Sequence, residues 1–221
     1  MIRPQKQGWP SFDQNIAVAQ DFLFEKDFSK VLIAALSSIS AKRVHIPLHK
    51  RSATISYHEL DHISPDIVDF YHSQEILNWC SSVVGERIYP TPYNDLSSCS
   101  VLIYDKAGDH IRCHYDLNFY KGRHFTALLP LVNTNAAGDS VSSAELFVRK
   151  GRRQTTIPTP PNTLVLFEGA VVSHGVTPLK SGERRLILSM TYCANSTATP
   201  AQSMQRRLKD IAYFGLRALW A

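Results

Sequence analysis

The sequence has little of what marks a membrane, secreted or fibrous chain. No apolar run approaches the ~20 residues needed to cross a bilayer; the longest candidate, Val31 to Leu36, is far too short. The opening residues, Met1-Ile-Arg-Pro-Gln-Lys-Gln, are polar and lead into no apolar signal core. Only four cysteines occur, Cys80, Cys99, Cys113 and Cys193, widely spaced and with no CxxC pair, so no disulfide framework is expected. These absences predict a cytoplasmic, reduced protein. No repeat or low-complexity segment appears, and no sign of charge dominates: 24 Lys+Arg against 19 Asp+Glu leave +5, spread in small basic clusters. That excludes a strongly basic nucleic-acid arm, and a solvated surface is the simpler reading of the clusters. With 44% hydrophobic residues in 221, the chain can bury a sizeable core.

What is present changes texture along the chain. Residues 1–97 read as partly helical. Ile16 to Leu23 reads as a short strand. Glu25 to Ser38 carries apolar residues at helical spacing, and a second helix is predicted from about Ser64 to Val84, with Gly85 as its stop. From residue 98 to 193 short strand-like runs alternate with turn signals: 100–105, 110–116, 125–132, 144–148, 163–167, 171–176 and 185–193. Residues 194–221 turn helical from Pro200, with a stripe of Met204, Leu208, Ile211, Leu216 and Leu219 expected to pack on the β core. One domain is expected, mainly β with helical support on both sides.

The residues with chemistry lie in the β region. In His114-Tyr-Asp116 an imidazole and a carboxylate stand two apart, so a strand would aim both the same way. His174, on a later strand, is a candidate third ligand. Two His and one carboxylate hold one face of an octahedron and leave three positions open, which suits non-haem Fe(II). The pair alone reads more simply as the polar face of a strand. Ten residues after His174 comes Arg184, in phase with Leu186, Leu188, Met190 and Tyr192. A guanidinium at the mouth of a barrel can grip a carboxylate bidentately; a solvated turn charge is the alternative. Arg185, of opposite parity, is expected to point outward.

Several blocks in this order resemble the Fe(II)/2-oxoglutarate-dependent dioxygenases, and within them the prolyl-4-hydroxylase-like branch. They are Leu102-Ile-Tyr-Asp-Lys-Ala-Gly-Asp-His-Ile-Arg-Cys-His-Tyr-Asp116, Phe125 to Asn133, Leu164-Val-Leu-Phe167, His174-Gly-Val-Thr-Pro178 and Ser181-Gly-Glu-Arg184. The resemblance implies a double-stranded β-helix, the jelly roll or cupin-like fold. It implies that His114, Asp116 and His174 bind Fe(II) and that Arg184 holds the distal carboxylate of 2-oxoglutarate. Tyr104 and Thr126 would touch that co-substrate or simply pack. O2 would be the second co-substrate, ascorbate the reductant, and succinate and CO2 the co-products.

The departures bear on the substrate. Ser143-Ala-Glu-Leu146 replaces a Gly-Gly-Glu-Leu segment, so the family's substrate class does not transfer. Asp116 is present where related halogenases have a small residue, which favours hydroxylation. By strand parity His110 and Arg112 are candidate substrate contacts; Asn118 and Arg123, in the stretch after Asp116, are two more. Arg112 with Arg123 would suit a substrate carboxylate. The expected substrate is a small molecule such as an amino acid or natural-product intermediate, acted on by a monomer or homodimer. A peptidyl-prolyl or protein hydroxylase is the alternative. A nucleic-acid dealkylase ranks lower, because the second Arg such enzymes carry is Met190 here. A non-catalytic jelly-roll binding module ranks lower too.

Overall fold

The computed structural model describes residues 2–3, 10–37, 42–46 and 49–215. Strand β1 (Ile16–Ala19) leads to helix α1 (Glu25–Ser37), then β2 (Lys42–Ile46) and β3 (Lys50–Ile55). Three helices follow, α2 (Tyr57–Ile63), α3 (Pro65–His72) and α4 (Gln74–Val84), and then the short β4 (Tyr89–Pro90). The remaining strands are β5 (Cys99–Tyr104), β6 (His110–His114), β7 (His124–Thr134), β8 (Leu146–Lys150), β9 (Arg153–Ile157), β10 (Leu164–Phe167), β11 (Ser173–Val176) and β12 (Arg184–Cys193). Helix α5 (Pro200–Phe214) closes the described chain.

The helices begin where capping chemistry places them. Ser56 and Glu59 form a capping box that starts α2, a helix the apolar spacing did not reveal. The single helix expected over 64–84 is two. Pro65 sits in the first turn of α3, and Ser73 is extended (φ −61°, ψ 138°) and caps α4. Gly85, at φ 76°, ends α4 as predicted. Thr199 and Gln202 box the start of α5.

All strand pairings are antiparallel and run in the order β1-β10-β7-β12-β5-β3-β6-β11-β8-β9, with β2 on β3 and β4 on β12. The sheet curls through β3, which pairs with β5 by one stretch and with β6 by another, giving the jelly roll that the sequence predicted. β2, β3 and β9 were not foreseen in the strand pattern.

The large sheet has two unlike faces. Cys99, Val101 and Ile103 of β5, Phe125, Ala127 and Leu129 of β7, and Leu186, Leu188, Met190 and Tyr192 of β12 join Ile67, Tyr71, Ile76 and Trp79 of the helices in one core. The alternate residues point into the roll. So the even-numbered face of β12 packs against helices outside the barrel, not inside it as expected. Apolar burial decides this, because helices α1 to α4 all contribute to the core on that side and bury it from water.

Helix α5 also differs from expectation. Met204 (64% exposed) and Leu208 (58%) face solvent, while Arg206 and Asp210 are buried. Lys209 anchors the helix instead, with its ammonium 2.6 Å from Asp95. Leu216 and Leu219 of the expected stripe lie outside the described residues.

Candidate metal and co-substrate site

Inside the roll lies a cavity of about 420 Å³. His114, at the end of β6, and His174, on β11, are direct cross-strand partners. Asp116 lies just beyond β6 rather than within it. Its N–H donates to the Gly169 carbonyl (2.9 Å), and the Thr126 hydroxyl donates to Oδ2 (2.7 Å). The His114 and His174 Nε2 atoms lie 3.4 and 3.7 Å from Asp116 Oδ1. One donor atom from each of the three residues falls within 4.8 Å of the others, so the group could hold a metal ion.

Donor chemistry fits iron. The Nδ1 atoms sit 2.8 and 2.9 Å from the carbonyls of Arg112 and Val172. A carbonyl only accepts, so Nδ1 carries the proton and the Nε2 lone pair faces the cluster. Burial lowers the His174 pKa, which favours the neutral, ligating form. Burial pushes the Asp116 carboxyl up, but His114, His174 and Thr126 outweigh it and hold the group well below the usual carboxylate range. Gly169 is required here, because a Cβ would lie 2.0 Å from Asp116 Oδ2.

The co-substrate side departs from the sequence expectation. Arg184 is half-buried at the start of β12 and does not line the cavity; Arg185 does, at 2% exposure. The expected parity along β12 is right, but the apolar phase chosen as inward faces the helices, so the inward guanidinium is the next residue. Arg185 Nη1 donates to the Ala144 carbonyl (2.5 Å) and Nη2 to Thr159 Oγ1 (3.2 Å), while Nε has no partner. No carboxylate pairs with it among the described residues, and burial lowers its pKa. Tyr104, its cross-strand partner, also lines the cavity, with its phenol pushed up to about 12, mainly by burial. Thr126 lines the cavity too, but its hydroxyl is committed to Asp116.

None of the four expected substrate contacts lines the cavity. Between the pairs His174↔His114 and Val176↔Ile111, β6 spends three residues against two on β11. That bulge turns Ile111 and His114 inward together and takes His110 and Arg112 off the cavity wall. His110 Nδ1 instead meets the Gly108 carbonyl, and Arg112 is exposed. Asn118 closes its own loop through Gly122 and Tyr120. Arg123 is held by Glu86 (2.7 Å) and Glu168 (2.6 Å).

The sequence reading missed His49, Lys50 and Tyr213, which line the cavity. The His49 ring packs edge-on to His114 (5.0 Å) and its Nε2 lies 2.9 Å from the Tyr213 hydroxyl. No motif marks these residues, since β3 and α5 reach the cavity only through the fold.

The fold is a jelly roll, and its His114-Asp116-His174 cluster could hold a metal ion. Residues 99–192, which contain all three residues, match the family model of the 2OG-Fe(II) oxygenase superfamily. Over that stretch the chain is similar to oxygenases whose cofactors are iron and 2-oxoglutarate, and His114, Asp116 and His174 could bind the iron. No curated protein matches it. Among solved structures it resembles a 2OG-Fe(II) oxygenase-family oxidoreductase from Burkholderia pseudomallei (15% identity, 85% of this chain and 89% of that one, TM-score 0.65). It also resembles a prolyl hydroxylase from Trichoplax adhaerens in complex with a hypoxia inducible factor peptide fragment (18%, 89% and 88%, 0.59). A third is the epimerase SnoN in complex with Fe3+, alpha ketoglutarate and nogalamycin RO (13%, 81% and 78%, 0.62). At these identities the likeness is one of fold. No helix among the described residues is long and apolar enough to cross a membrane.

Proposed function

We propose that this protein oxidises an unactivated C–H bond of a small molecule, with His114, Asp116 and His174 as the Fe(II) ligands and Arg185, in place of Arg184, as the 2-oxoglutarate anchor. The observation that carries the reading is one cavity holding both the three-residue cluster and a buried guanidinium with an unpartnered Nε.

Iron with 2-oxoglutarate supplies an O2-derived oxidant: the substrate C–H becomes C–OH while 2-oxoglutarate and O2 become succinate and CO2. The chain positions these parts. The two Nε2 atoms and an Asp116 oxygen would hold the metal, and a three-ligand set of this kind would leave positions free for co-substrate and O2. Thr126 fixes the Asp116 carboxylate through Oδ2, leaving Oδ1 toward the imidazoles. Arg185 and Tyr104 supply a cation and a hydroxyl donor for the far carboxylate. Leu102, Leu128, Val176 and Ile187 line the walls and exclude water. Tyr213 and Phe214 of α5 narrow the cavity, which favours a small molecule over a protein segment.

Anaerobic titration of Fe(II) and 2-oxoglutarate, followed by visible charge-transfer absorption, tests this. We expect the band in wild type, its loss in His174→Ala, and about a hundredfold weaker 2-oxoglutarate binding in Arg185→Met, the scale of a buried charged pair. Absence of the band in wild type would overturn the reading.

A further inference from the structure

The cavity contains a second buried cation. Lys50 is 3% exposed and lines the wall. Its ammonium makes one long bond, 3.3 Å to Thr54 Oγ1 on the same strand face, and lies 5.2 Å from the Tyr213 ring centroid. Among the described residues it has no acidic partner. The contrast with Lys209 is direct, because that ammonium also lines the cavity yet rests on Asp95.

A buried ammonium with no counter-ion is costly. Burial brings Lys50 down to about 8, so it is still mostly protonated at neutral pH. The formally charged lining side chains are Lys50, Asp95, Asp116, Arg185 and Lys209. Lys209 and Asp95 neutralise each other. On the reading above, the two positive charges of iron and that of Arg185 are matched by Asp116 and the two carboxylates of 2-oxoglutarate. One positive charge, Lys50, is left over.

We propose that Lys50 is a specificity-determining residue that binds the carboxylate of a monocarboxylate substrate, with the Thr54 hydroxyl beside it. This deepens the function proposed above and rests on it. The single unmatched charge selects a carboxylate over a phosphate dianion. The apolar walls fit a hydrocarbon or aromatic body. Lys50, on β3, takes the role that Arg112, on its strand, and Arg123, in the stretch after Asp116, were expected to play.

The test is calorimetric and needs no turnover. Anaerobic protein loaded with Fe(II) and 2-oxoglutarate is titrated with three carboxylates and their neutral amides: hexanoate, 4-phenylbutanoate and indole-3-acetate. Phenyl phosphate serves as the dianion. At least one carboxylate should bind wild type about tenfold tighter than its amide, as expected for a charged hydrogen bond. Lys50→Met should abolish that preference while leaving 2-oxoglutarate affinity within about twofold. The proposal is overturned if no carboxylate is preferred, if Lys50→Met keeps the preference, or if phenyl phosphate binds tightest. It is also overturned if Lys50→Met weakens 2-oxoglutarate as Arg185→Met does, because Lys50 would then serve the co-substrate. The same titration on metal-free protein separates the two readings, since failure of iron binding sinks the function while the Lys50 comparison still stands. A melting scan of Lys50→Met confirms that the variant is folded.

Discussion

The two faces of strand β12 do opposite jobs. Leu186, Leu188, Met190 and Tyr192 look outward into a core of aliphatic and aromatic side chains contributed by the helices. Arg185, Ile187, Ser189 and Thr191 look inward onto the cavity. The outer face is finished, because its groups are apolar and covered. The inner wall is not, because Arg185 keeps an orphan Nε and Lys50, two strands away across β5, keeps an unmatched charge. The covered apolar face therefore carries the packing of this part of the fold, while the inner wall keeps a guanidinium Nε without a partner and an ammonium with one long hydrogen bond.

The largest way to break that comparison acts on the outer face. Leu188→Ala, at a fully buried position, should cost about 2–5 kcal/mol of stability in denaturant unfolding. Below the lowered melting point, Fe(II) and 2-oxoglutarate affinities should stay near wild type. A large loss of affinity with little loss of stability would show that the faces are not separable.

The next acts on the inner wall and has the opposite sign. An unfolded Lys titrates near 10.5 and folded Lys50 near 8. Between those values the unfolded chain binds more protons, so this residue makes stability rise with pH. The rise is on the order of 3 kcal/mol at most. His49, whose pKa its charge helps to lower, and Tyr213, whose ring centroid lies 5.2 Å from the ammonium, are titratable groups that face it. Lys50→Met should raise the melting temperature at pH 7 and flatten the trend between pH 8 and 10. A lowered melting temperature with an unchanged pH trend would show that Lys50 is satisfied as it stands.

The smallest effect sharpens the parity argument. Arg184→Met should change stability by less than about 0.5 kcal/mol, as a partly exposed residue with no side-chain hydrogen bond or ion pair among the described residues, and should leave 2-oxoglutarate affinity within about twofold. Its contrast with Arg185→Met would localise the anchor to one of two adjacent guanidiniums. Equal losses in both variants would reject the assignment.

Much of this was legible in the sequence. Spacing and turn signals marked most strands from β5 to β12, and the ordered blocks from Leu102 to Arg184 marked the family. His114, Asp116 and His174 could be picked out because they fall in order within those blocks, although the His-x-Asp pair alone reads as the polar face of a strand. The substrate contacts could not. Parity put His110 and Arg112 beside His114, and a bulge of one residue, invisible in the pattern, took them away. Arg123 carries a charge suited to a substrate, but Glu86 and Glu168 claim it from distant parts of the chain.

The sequence by itself determined the fold class and the three-residue cluster, and it chose Arg184, one residue away from the guanidinium that lines the cavity. Those depend on alternation and local order, which are written along the chain. Tertiary structure alone decided which face of β12 is inside, because a strand's two phases are equivalent until helices cover one of them. It alone brought Gly169 and Thr126 onto Asp116, and β3 and α5 onto the cavity. Those contacts join residues far apart in the chain. Their selection depends on which charges and apolar faces are already satisfied when the sheet curls closed.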